Sequence, residues 1–174
     1  MAIEENPFDH ILYEFSMYLQ TSMFRSNDQF ITNLMVDSRM VHMRNLAYFF
    51  SSDKDRNKSY LHYAMFVSKG VLQEIEHDLF AEIQRVTSNA TCHLLKGRMK
   101  ESFKQETIVF EQSVFPILVA KIKRFLMELN TNVLADYTSQ WAEKQIQNNA
   151  AGILDLIRKY EATEFDNPVG TTSW

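Results

Sequence analysis

Two stretches of the chain set imidazole, guanidinium and amide groups among apolar neighbours: His42-Met43-Arg44-Asn45-Leu46-Ala47-Tyr48-Phe49-Phe50 and Arg85-Val86-Thr87-Ser88-Asn89-Ala90-Thr91-Cys92-His93-Leu94. A polar group buried without a partner costs free energy, so each must be met by the protein or by a ligand. Arg85, Asn89 and His93 follow one another at i, i+4, i+8. On a helix that spacing spans only about 80° of the circumference and makes one polar stripe. Arg44 and Asn45 are neighbours, so one can face a core while the other runs along its edge. If the two helices pack antiparallel, as in a bundle, the clusters converge. The chemistry such a site suits is cleavage of RNA without a metal, with imidazole moving a proton and guanidinium holding charge on phosphate. In that reading His93, Arg44, Asn45 and Asn89 form the catalytic group, and Arg98 and Arg85 bind the RNA phosphate. The structural alternative has Asn45 and Asn89 bracing backbone groups and His93 donating to a carbonyl.

Other constellations are thinner. Glu74-Ile75-Glu76-His77 contains one Glu-x-x-His pair, whereas a di-iron bundle needs two such pairs and two further carboxylates. His10 and Glu14 lie one turn apart and, with His42 and His77, are the remaining metal-ligand candidates; a surface i, i+4 pair accounts for the first two more simply. No metal and no cofactor is therefore expected. There is no Gly-rich phosphate loop, and Cys92 adjoins His93 on a helix, where neighbours point apart.

The elements that must position these groups are helical. Asn6-Pro7 reads as a helix start, and Phe8, Ile11, Leu12, Phe15, Tyr18 and Leu19 carry helical spacing to about Phe24. Ser26-Asn27-Asp28-Gln29 reads as a capping box before Ile31, Leu34, Met35, Ser38, Val41, His42, Asn45, Leu46 and Phe49, which puts His42 and Asn45 on the inner face of the second helix. Residues 51–58 form a charged loop, and Tyr60 to Phe66 a short helix. A third helix is predicted from Val71 to Gly97, a fourth from about Thr107 to Leu129 with Pro116 as a kink or a start near Ser113, and a fifth from Ser139 to Tyr160. Glu164 to Trp174 reads as a tail after one domain of residues 1–163.

Composition agrees with a single all-α bundle. The 174 residues suffice for one core, and four glycines and three prolines leave little material for tight turns. Thirteen phenylalanines and nine methionines promise a bulky, adaptable core or an interface. A formal net charge of −4 argues against a broad nucleic-acid-binding field, leaving only local basic patches around Lys96, Arg98 and Lys100 and around Lys121, Lys123 and Arg124. No membrane span or secretory leader is evident, and a lone cysteine suits a reducing cytosol.

The stretch His42-x-Arg44-Asn45-Leu46-x-x-Phe49-Phe50 and the stretch Asn89-x-x-x-His93-Leu94 with Arg98 following resemble paired patterns in a group of bacterial all-helical proteins. Those proteins are themselves similar to HEPN domains, helical bundles that include RNases of stress and defence systems. The resemblance implies a HEPN-like bundle of about five helices, a homodimer, and RNA binding or metal-independent RNA cleavage. Arg44-Asn45 matches the opening of the HEPN signature, while Phe50 stands at the position of its histidine. That substitution favours the alternative, a non-catalytic helical module that binds a protein partner.

Overall fold

The computed structural model describes residues 7–52, 55, 59–68, 70–91, 101–129 and 140–162. Among them are five α-helices: α1 (Pro7–Met23), α2 (Gln29–Phe49), α3 (His77–Thr91), α4 (Glu101–Glu128) and α5 (Gln140–Ala162), with one 3-10 turn at Tyr63–Met65. The cap proposed at Asn6, the helix end at Gly97 and the tail from Glu164 lie outside the described residues, as do His93 and Arg98. No described helix is long and apolar enough to cross a membrane.

The start of α2 follows from one side chain. Asp28 is extended, and its Oδ1 accepts from the N–H groups of Phe30 (2.8 Å) and Ile31 (3.1 Å), two of the donors a helix start leaves unmet. From there α2 runs antiparallel to α1: Thr21 meets Arg39, and Glu14, a few turns back, meets His42 and Asn45. Tyr18 and Phe15 of α1 contact Phe115 and Phe125 of α4 through their rings. The apolar stripe of α5, Ile146, Ile153 and Ile157, is buried where that helix packs on α1 and α4.

Phenylalanine content becomes architecture at the centre of this bundle. Phe15, Phe49, Phe50, Phe66 and Phe125 form a mesh of mostly edge-to-face rings with centroids 4.9–6.3 Å apart, and Phe8 joins it through Phe66 at 4.7 Å. Such pairs add about 0.5–1.5 kcal/mol each beyond the area they bury, and their geometry fixes how the helices cross.

Two predicted boundaries are corrected. The third helix begins at His77 and not at Val71. Leu72 and Ile75 are buried as their spacing suggests, but outside any helix: Gly70 turns the backbone at a φ of 89°, and the N–H of Ile75 donates to the carbonyl of Phe50 at 2.9 Å in an isolated parallel bridge with Ser51. Apolar spacing alone does not fix the geometry, and the hydrogen bond that the Phe50 carbonyl accepts from Ile75 decides it. The fourth helix starts earlier, at Glu101, and passes through Pro116 without ending. Pro116 lies on the exposed face, where water can serve the carbonyl that loses its intrahelical donor.

Candidate functional site

Glu14 is the pivot of the polar stretch on α2. Its position shares a face of α1 with Ile11 and Tyr18, at i, i+3, i+7, so a carboxylate interrupts an otherwise buried stripe. One oxygen accepts from Asn45 Nδ2 at 3.1 Å and the other lies 2.7 Å from His42 Nδ1. With the carboxylate as acceptor, His42 donates from Nδ1. The imidazole is nearly enclosed, its side chain 8% exposed against 26% for Glu14, and the ring of Tyr13 meets it edge-on with centroids 5.7 Å apart. The inward placement predicted for His42 is seen, and Asn45 is half-buried beside it. Their partner, Glu14, turns inward to them, whereas the i, i+4 spacing suggests a surface pair with His10; the sign of this is its place in the apolar stripe.

A pocket of about 210 Å³ opens beside this carboxylate, between α1, the C-terminal half of α2 and the segment 59–61. Ile11, Phe15, Leu46 and Phe49 make its apolar walls, and His10, Glu14, Asn45 and Ser59 bring polar groups to it. Tyr60 closes one side, stacked on Tyr48 with centroids 4.4 Å apart, and Tyr48 rests edge-on against Phe80 of α3.

A second charged cluster lies one turn earlier on α2 and was not anticipated. Arg39 pairs through Nε with Glu111 of α4 and donates from Nη1 to the carbonyl of Thr21 at 3.3 Å. Burial pushes the Glu111 carboxyl above the ordinary carboxylate range despite Arg39, and depresses the Arg39 guanidinium from its usual value. Tyr18 is fully buried alongside; burial, then Glu111, pushes its phenol far up, and its hydroxyl has no hydrogen-bond partner among the described residues. The signal in the sequence was again a lone charge in an apolar stripe: Arg39 between Met35 and His42, Glu111 between Thr107 and Val114.

The helix-three group is differently placed. Arg85 is exposed and engaged with two carboxylates, through Nε and Nη2 to Glu82 at 2.9 and 2.7 Å and through Nη2 to Glu106 of α4 at 2.5 Å. These hydrogen bonds raise the guanidinium further and, through Arg85, hold Glu82 below its usual range. Asn89 is half-buried on α3, and Arg44 half-buried on α2. Since α3 packs on α2, the helices carrying Arg44, Asn45 and Asn89 are neighbours, yet the Asn45 bond runs to α1.

His62 and His77 serve the scaffold. His62 accepts from the Ala64 N–H through Nδ1 (3.3 Å), so its Nε2 carries the proton donated to the carbonyl of Ser51 at 2.8 Å. His77 pairs with Asp55 at 2.6 Å, away from His10 and His42, so these three do not assemble with Glu14 as metal ligands. Among the described residues no group of three or more His, Cys, Asp or Glu is arranged to hold a metal. The chain matches no protein-family model, no curated protein and no solved structure.

Proposed function

We propose that the protein is a non-catalytic helical module that pairs with a second copy of itself along the outer face of α4. The observation that carries this reading is an exposed, self-complementary seam. Val109 and Met127 are 63% and 64% exposed, and Pro116 and Ala120 between them are also exposed. At helical spacing the four fall within about 40° of one another, facing away from the buried Val114, Leu118, Ile122 and Phe125. Their positions are symmetrical about residue 118, so a twofold axis there sets Met127 against the partner's Val109 and Ala120 against the partner's Pro116. Small residues meet at the middle, where backbones must approach most closely, and larger ones close the ends. The polar clusters support the same reading, because Asn45, His42 and Arg85 already have partners within the chain. Light scattering at micromolar concentration tests it: wild type should run at twice the 20.4 kDa chain mass and Ala120→Arg at the monomer mass with unchanged helicity. A wild-type monomer, or a folded Ala120→Arg dimer, would overturn it.

A second reading, HEPN-like RNA binding with metal-independent cleavage, draws on the resemblance of the His42–Phe50 and Asn89–Leu94 stretches and on the packing of α3 against α2. In it His93 moves the proton, Arg44, Asn45 and Asn89 complete the site, and Arg98 holds phosphate. Cleavage of single-stranded RNA that persists in EDTA and vanishes in His93→Ala would select this reading.

A further inference from the structure

We propose that the pocket beside Glu14 binds a small organic ammonium, an amine carried on an apolar stem. The argument begins with the carboxylate. Both Glu14 oxygens already accept one bond, from Asn45 and from His42, which fixes the group in place. A carboxylate has about four acceptor directions, so each oxygen retains one for a donor arriving from the pocket. Such a donor gains most if it is charged, because charge-assisted bonds are roughly twice as strong as neutral ones.

The remaining walls select the body of the ligand. Ile11, Phe15, Leu46 and Phe49 offer apolar surface, and Tyr60, held by its stack on Tyr48, offers an aromatic ring. Aromatic faces attract cations, and more strongly where water is displaced. The volume of about 210 Å³ admits one ring or a short alkyl chain. The same ammonium chemistry occurs in free amines and in the lysine side chain of a partner protein. Neither source depends on pairing through α4, so this site stands or falls separately from the dimer.

The test is a titration of the full chain followed by amide NMR shifts and calorimetry, with three probes. Phenethylamine represents a free amine, N-acetyl-lysine methylamide a lysine side chain, and 2-phenylethanol a neutral isostere of the first. At least one amine should bind saturably and about tenfold or more tighter than 2-phenylethanol, with shifts at residues 10–15, 45–49 and 59–61. The tighter amine identifies the source. Glu14→Gln should lose that preference, and Ser59→Trp, a change at the exposed rim, should block binding in a chain that keeps its helicity. The proposal is overturned if neither amine saturates at millimolar concentration, if the alcohol binds equally well, if the shifts lie elsewhere, or if folded Ser59→Trp binds as wild type does.

Discussion

Arg39 and the pair His42 and Asn45 occupy successive turns of α2, and the helix presents them to opposite kinds of surroundings. Arg39 is closed in against Glu111 of α4, with the Tyr18 hydroxyl, unpartnered among the described residues, alongside. His42 and Asn45 share the carboxylate of Glu14, which is a quarter exposed and borders a pocket. The difference teaches how burial alone changes what a carboxylate can do. At Glu111 desolvation outweighs the neighbouring cation and lifts the carboxyl toward its neutral form, so the pair costs the fold something. Glu14 accepts from Asn45 and His42 on one side and meets the pocket on the other, so its oxygens keep acceptor directions that a ligand could use.

The closed station should break hardest. Arg39→Met leaves Glu111 buried without its cation and should cost about 3–5 kcal/mol at neutral pH in urea unfolding. The cost should shrink on acidification. A carboxyl whose folded value is raised contributes stability that is full below its ordinary range and is lost as pH rises through the raised value, and removing Arg39 enlarges that loss. The double change Arg39→Met with Glu111→Leu should restore stability to wild type or above, since neither charge is then buried. A pH-independent cost in the single variant would show that Glu111 stays ionised throughout.

The open station should yield less. Asn45→Ala removes one donor to Glu14 and should cost about 1–3 kcal/mol, because the freed carboxylate oxygen can take water from the pocket side. A loss as large as that of Arg39→Met would erase the distinction between the two stations. Smallest of all is Arg85→Ala. Its pairs with Glu82 and Glu106 lie at the surface, where screening leaves such contacts worth about 0–1 kcal/mol, so thermal melts should barely move.

How much of this was legible in the sequence differs between the two stations as well. The five helices and the inward placement of His42 follow from periodicity, which acts over a few residues, whereas the capping box read over Ser26–Gln29 gives way to a cap at Asp28. The aromatic core was legible as composition and not as a mesh, because ring contacts join four separate segments of the chain. Glu14 and Arg39 each announced themselves as a charge within an apolar stripe, but their partners sit on other helices and no local rule names them. The segment before α3 escaped for the same reason. Its deciding hydrogen bond, Ile75 to Phe50, is tertiary, and the apolar spacing that suggested a helix is equally served by a buried bridge. The seam on α4 was legible only once the opposite face was known to be filled.

The pairing of two α4 helices about residue 118 is tested most directly by a disulfide placed at its predicted contact. In a Cys92→Ser background, Val109→Cys and Met127→Cys together should give a covalent dimer on mild oxidation, seen on a non-reducing gel, while each single change gives far less, because each position faces the other and not itself. Equal crosslinking by the single variants, or none by the double variant, would contradict the account.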